Sequence, residues 1–206
     1  MATTRILTVP LATVIGLTIM ASAMAAEKQP LPPLVRVAVD PRVELFSIIF
    51  RLAEYNEYNW GHVESYVKDV DAHFGPFRNH PVVELAKKLR QTQGMACDGP
   101  MSLAVHLTDA LKLEARVPLN PRPVSLDRRW SESDAQEFLQ AARKFVRDAS
   151  YQAFFEQHRP LYELAESRMR ALLEKEGHWE WFGDFFGQRS SANFIATFGM
   201  LNGGGC

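Results

Sequence analysis

Apolar residues recur along most of the chain at the spacing of amphipathic α-helices. The clearest helix begins at Ser131, where Asp134 gives a variant of the capping box. Its apolar positions keep helical spacing throughout: Ala135, Phe138, Leu139, Ala142, Phe145, Val146 and Ala149. A second helical stretch covers residues 151–176, and Pro160 is expected to kink or split it.

Four further helices are predicted earlier in the chain. Asp40 followed by Pro41 is typical of a helix start, and residues 41–53 are apolar on most faces, which indicates a buried helix. A buried strand is the alternative there. Residues 62–74, 80–93 and 98–107 are the other helical segments, and Gly94 suits a C-cap after the second of these.

Short strands are predicted near both ends of the chain. Residues 34–39 (LVRVAV) alternate in part between apolar and polar side chains, and residues 193–201 form a second apolar run. Loops are expected at 54–61 and at the proline-rich 117–123, and a short aromatic helix at 179–186. The whole pattern predicts a mainly α fold with minor β (α+β).

The N-terminal residues 1–25 have the pattern of a secretory signal peptide. Arg5 precedes an apolar stretch, and Ala23-Met24-Ala25 supplies a small-x-small cleavage pattern. A membrane anchor is the alternative, although the stretch is shorter than the roughly 20 residues that a span needs. Residues 26–33 form a polar, proline-rich leader. Residues 34–206 are expected to form a single domain that is truncated at its C-terminus. The protein is expected to be secreted or periplasmic, with no membrane segment after cleavage.

Charge and cysteine content narrow the function only a little. The 206 residues carry a formal net charge of −1, which favours neither nucleic acid nor an anionic membrane as a partner. The two cysteines, Cys97 and Cys206, define no disulfide framework. The alternatives are a pair between them and a free, inert Cys97.

Motifs for metal or nucleophilic catalysis are absent from the sequence. None of the six histidines forms an HExxH pattern, and there is no GxSxG. His73 and His80 flank one loop and are the only histidines that suggest a ligand pair, with ordinary structural roles as the alternative. A Cys97–His106 pair has only proximity in sequence behind it. No catalytic residue and no metal ligand is therefore assigned.

Two aromatic segments are candidate binding surfaces. The stretch HWEWFGDFF at 178–186 includes Trp179, Trp181 and Phe182, which suit either core packing or a platform for a sugar, a peptide or another domain. The loop at 55–60 is either a connector or a substrate contact. The partner would be a peptide or a protein, of unknown identity.

Four blocks of sequence stand out as a set: VDPRVELFSIIFRLA (39–53), VKDVDAHFGPFRNHPVVELAKKLR (67–90), MSLAVHL (101–107) and FGMLNGGG (198–205). Together they resemble the opening half of a bacterial secreted family catalogued as domain of unknown function 4932. Members of that family carry an HExxH-type segment downstream and look like zinc metallopeptidases. The resemblance implies an incomplete metallopeptidase-like fold, with zinc expected only in full-length relatives.

The resemblance also gives the terminal glycines a role. An edge strand beside the metal pairs with substrate backbone in many zinc peptidases. Asn202, Gly203, Gly204 and Gly205 would then form the substrate-side rim of a cleft. We expect the chain to be the truncated front part of a longer domain, because no following element in the sequence covers the edge of its last strand. The expected function is a metallopeptidase-like part that is inactive alone, or else a free-standing binding module.

Overall fold

The structure is a computed structural model that describes residues 36–60, 63–177, 184–185, 187 and 195–201. The described chain begins with strand β1 (Arg36–Val39) and continues into helix α1 (Pro41–Leu52). The Asp40 side chain accepts a hydrogen bond from the backbone N–H of Arg42, and Pro41 lies in the first turn. The prediction of a helix here, and not a buried strand, is confirmed.

The remaining elements confirm a mainly helical fold with a small parallel sheet. They are α2 (Glu64–Phe74), α3 (Pro81–Gln93), α4 (Asp98–Val105), α5 (Glu132–Asp148), α6 (Tyr151–Gln157), α7 (Arg159–Glu176) and β2 (Ile195–Phe198), with 3₁₀ turns at Asn56–Tyr58 and Gly75–Phe77. The helix predicted at 98–107 is shorter than expected, since Leu107 forms an antiparallel bridge with Ala115.

Helix ends follow the predicted signals. Ser131 accepts a hydrogen bond from the backbone N–H of Asp134 at 3.0 Å. Gly94 ends α3 with a φ of 63°, a left-handed conformation that glycine adopts at little cost. The stretch 151–176 is split at His158, and Pro160 occupies the first turn of α7, where a missing N–H costs nothing.

Helix α1 is the centre of the core. The side chains of Leu45, Phe46, Ile48, Ile49 and Phe50 have no exposed surface, because α3 and α4 pack against α1 and Phe138 of α5 reaches it. The ring of Phe138 lies 5.3 Å from Phe46, 5.5 Å from Phe50 and 5.3 Å from Trp130, centre to centre. These aromatic contacts join α5 to α1 over a wide apolar area.

The two described strands pair with each other in parallel. Arg36 lies opposite Ile195 and Val39 opposite Phe198. Within the described part of the last strand predicted at 193–201, the ladder covers Ile195–Phe198, and a turn follows at Met200 and Leu201. One edge of this strand is therefore covered by β1, from the other end of the domain.

The signal peptide at 1–25 and the leader at 26–33 lie outside the described residues. Within the part of the chain that is described, no helix combines the length and the apolar character needed to cross a bilayer.

Candidate functional site

The site residues predicted from sequence fall outside the described ranges. This holds for Trp179, Trp181 and Phe182 of the aromatic segment and for the terminal Asn202–Gly205. Phe185, which belongs to the same aromatic segment, is described, and 67% of its surface is exposed.

The histidines considered as ligands serve the fold. His73 Nε2 donates to the carbonyl oxygen of Ala149 at 2.8 Å. His80 Nδ1 accepts the backbone N–H of Val82 at 3.3 Å, and its Nε2 lies 3.4 Å from Asp148 Oδ2. Among the described residues, no group of three or more His, Cys, Asp or Glu side chains is arranged to hold a metal ion.

Cys97 and His106 do not form a pair. The ring nitrogens of His106 contact the carbonyl oxygen of Ser102 and the hydroxyl of Ser125. Cys97 is a free, exposed cysteine.

The loop at 55–60 is mainly a core connector. Tyr55 and Tyr58 are fully buried, and their hydroxyls donate to the carbonyl oxygens of Ala86 at 2.8 Å and of Cys97 at 2.7 Å. Substrate contact through these two tyrosines is therefore excluded in this conformation, whereas Trp60 is 59% exposed.

The most unusual polar group in the described structure is the carboxyl of Glu44, which has no exposed surface although it lies on the apolar helix α1. The hydroxyl of Tyr66 in α2 donates to Glu44 Oε1 at 2.6 Å, and the backbone N–H of Met200 donates to Oε2 at 2.7 Å. A buried carboxyl needs such donors because it has lost its water.

Burial also changes the acidity of this group. It raises the pKa of Glu44 from 4.5 to about 7, although the Tyr66 and Met200 hydrogen bonds and the charge of His158 act in the opposite direction. Glu44 therefore exchanges a proton close to neutral pH, where an ordinary glutamate is fully ionised.

Two further side chains extend the polar group, and Glu44, Tyr66, Tyr162 and His158 are called the Glu44 cluster from here on. The hydroxyls of Tyr66 and Tyr162 lie 2.8 Å apart, so one donates to the other. The His158 ring packs edge-on against Tyr66 with 5.2 Å between ring centres. Its Nδ1 donates to the carbonyl oxygen of Phe154 at 2.9 Å, and its Nε2 lies 3.2 Å from Asp69 Oδ2 near the surface.

Residues 195–201, called the C-terminal segment from here on, lie directly on the Glu44 carboxyl. A Cβ atom added at Gly199 would lie 3.0 Å from Glu44 Oε2 and 3.2 Å from Ser47 Oγ, so a side chain there would need its neighbours to shift by a few tenths of an ångström. Leu201 is fully buried, and the backbone N–H of Asp40 donates to the carbonyl oxygen of Phe198 at 3.2 Å. The carboxyl of Glu44 is thus an internal anchor for this segment.

A cavity of about 370 Å³ lies between β1 and α7, next to the Glu44 cluster. Tyr162 and Phe155 line it together with Glu163 and Glu166 of α7. Glu166 Oε1 accepts the backbone N–H of Val39 at 2.9 Å, on the edge of β1 that faces away from β2. The side chain therefore replaces a neighbouring strand at that position.

The arrangement supports proton exchange and anchoring, not contact with a ligand. Glu44 has no exposed surface, so a ligand cannot touch it in this conformation. Sequence reasoning placed Glu44 on a buried helix but gave it no role. The available signal was a single carboxylate inside a helix predicted to be apolar on most faces, since such a group requires internal donors.

No family model, no curated protein and no solved structure matches the chain.

Proposed function

We propose that the chain is an extracytoplasmic helical module without catalytic activity of its own, which holds its C-terminal segment in a fixed position as the front part of a metallopeptidase-like protein. The observation that carries this proposal is the hydrogen bond between Met200 N–H and Glu44 Oε2 at 2.7 Å. It joins the last of the four resembling blocks to the first.

The packing of the other two blocks supports the same proposal. Helices α2 and α3, which belong to the second block, and α4, which belongs to the third, all contact α1. The four blocks therefore meet around one helix and form one structural unit.

The proposal assigns the substrate-side rim to Asn202–Gly205, which come directly after the anchored segment in the sequence. Replacing Gly203 and Gly204 in a full-length relative should reduce peptide turnover if the rim pairs with substrate backbone. Unchanged turnover would contradict this part of the proposal and would leave the anchoring role intact.

The absence of independent catalysis is tested on the purified protein. Zinc would be titrated by calorimetry, and cleavage of a peptide library would be measured with and without a chelator. We expect no stoichiometric zinc and no chelator-sensitive cleavage, because the sequence lacks an HExxH pattern. Tight zinc binding together with chelator-sensitive proteolysis would overturn the proposal.

A free-standing interaction module is the second candidate, and the exposure of Phe185 favours it. Its surface would be the aromatic segment 178–186. The double variant Trp60→Phe, Trp130→Phe leaves only Trp179 and Trp181 as tryptophan probes. Easy fluorescence quenching by acrylamide would support an accessible surface, and strong protection would remove the main argument for it.

A further inference from the structure

The C-terminal segment covers a carboxyl that titrates near neutral pH. Gly199 approaches Glu44 Oε2 so closely that an added Cβ would lie 3.0 Å from it, and Met200 N–H donates to the same oxygen. Lifting this segment would expose Oε2 to water while α1 stays in place.

This cover contains the four-residue strand β2, which is shorter than the helices around Glu44. Tyr66 and Tyr162 belong to the helices α2 and α7, and both are almost fully buried. The C-terminal segment is held by a ladder of four residue pairs, and Ile195 at its start is 62% exposed. Short outer strands open at lower free energy than core helices, although Leu201 at the end of this segment is fully buried.

The groups around Glu44 offer little compensation for the negative charge of its ionised carboxylate. The titratable ones are Tyr66 from α2, Tyr151 from α6, His158 between α6 and α7, and Tyr162 from α7. The C-terminal segment contributes only backbone. Among the described residues no lysine or arginine bonds to Glu44, and His158 is the cationic group that acts on it.

We propose that the C-terminal segment is a pH-sensitive latch, closed over Glu44 when the carboxyl is neutral and released when it is ionised. A neutral carboxyl keeps both hydrogen bonds of the closed state, from the Tyr66 hydroxyl to Oε1 and from Met200 N–H to Oε2, and it places no charge in the core. The ionised carboxylate keeps only two donors and regains water when the latch opens. This inference does not depend on what the segment is for.

The linkage between proton binding and opening gives the direction in which the opening constant changes with pH and the pH range of that change. The pKa of Glu44 is about 7 in the closed state and about 4.5 when the group is solvated. Opening therefore releases a proton between these values, and the opening constant rises about tenfold per pH unit. It levels off above pH 7, and the change from pH 5 to pH 7 is about fortyfold.

Amide hydrogen exchange between pH 5 and pH 8, corrected for the intrinsic exchange rate, tests the latch. We expect the opening constant of the amides of residues 198–201 to rise about fortyfold from pH 5 to pH 7 and only about twofold more to pH 8. At pH 7 it should exceed by at least about tenfold the value for α5 amides, which report the core.

Glu44→Gln is the decisive variant, because glutamine imitates the neutral acid in shape and hydrogen bonding. It should keep the segment protected at every pH, whereas the matched Glu84→Gln, which removes an exposed carboxylate paired with Lys87, should behave like the original protein. A pH-independent opening constant in the original protein would overturn the proposal. A pH dependence that remains in the Glu44→Gln variant would also overturn it. Equal opening constants for residues 198–201 and for α5 would do the same. The pH-independent opening constant and the equality with α5 are both measured on the original protein, so these two tests need no variant.

Discussion

The backbone N–H of Met200 donates a hydrogen bond to Oε2 of Glu44, 156 positions earlier in the chain, with 2.7 Å between nitrogen and oxygen. The two residues join the last described strand to the central helix of the core. Because Glu44 is fully buried, the bond is shielded from water and is strong for its length.

Global stability should fall as the pH rises from about 5 to 7. The folded-state pKa of Glu44, about 7, lies above its unfolded value near 4.5, so the folded chain binds the extra proton in this interval. The stabilisation from this group is complete below pH 4.5 and is lost by about pH 7, a change of about 3 kcal/mol. Urea unfolding at several pH values measures it.

Other titratable groups change the free energy of unfolding differently with pH. The useful quantity is therefore the difference in the free energy of unfolding between the original protein and Glu44→Gln at each pH. Burial lowers the pKa of His80, which costs stability as the pH falls through 6.5. The hydrogen bond from Arg129 holds the pKa of Asp127 at about 2, which matters only in stronger acid. A difference between the two proteins that does not change with pH would contradict the assignment to Glu44.

Gly199→Ala should destabilise the protein by about 1–3 kcal/mol, because the new methyl group meets atoms held by hydrogen bonds. The nearest are Glu44 Oε2 at 3.0 Å and Ser47 Oγ at 3.2 Å. Gly75→Ala is the matched control, since nothing lies within 4 Å of its added Cβ. Chemical denaturation compares the two variants, and equal stability would show that the close approach at Gly199 is unimportant.

Phe138→Ala should cost about 3–5 kcal/mol, because it removes the ring that joins α5 to α1. The ring contacts Phe46, Phe50 and Trp130. Thermal unfolding followed by circular dichroism gives the change. Val124→Ala, at a fully exposed position, serves as the control and should change stability by less than about 0.5 kcal/mol.

Cys97→Gly should stabilise the protein by about 1 kcal/mol, which is unusual for a substitution by glycine. Cys97 has φ 49° and ψ −116°, a combination that side chains with a Cβ avoid. Its backbone is fixed there by Glu57, which accepts its N–H at 3.0 Å, and by the Tyr58 hydroxyl, which donates to its carbonyl.

Cys97→Ala keeps the Cβ and is the control for that experiment. It should leave the midpoint of urea unfolding nearly unchanged, because the thiol is exposed and free. Equal midpoints for the glycine and alanine variants would show that the backbone is not strained at this position.

The positions of the helices could be predicted from local signals in the sequence. The contacts between residues that lie far apart in the sequence could not. The apolar spacing of α5, the Asp40-Pro41 start of α1, the stop at Gly94 and the break near Pro160 each depend on neighbours within a few residues. The loop at 55–60 is predicted from its composition as a polar-aromatic connector or a substrate contact, yet Tyr55 and Tyr58 are core residues because α3 and Cys97 supply acceptors for their hydroxyls. The hydrogen-bond partners of Glu44, Tyr66 and Met200, lie 22 and 156 positions away in the sequence. The spacing of apolar residues carries no information about contacts at such separations.

The parallel pairing of β1 with β2 sets an order of events during synthesis. A ribosome releases Arg36–Val39 and Glu44 long before Ile195–Phe198, so the nascent helices assemble while the first strand lacks its partner. During that interval the carboxyl of Glu44 has no Met200 to bind. The last hydrogen bond to this side chain therefore forms only after Ile195–Phe198 has left the ribosome and paired with the first strand.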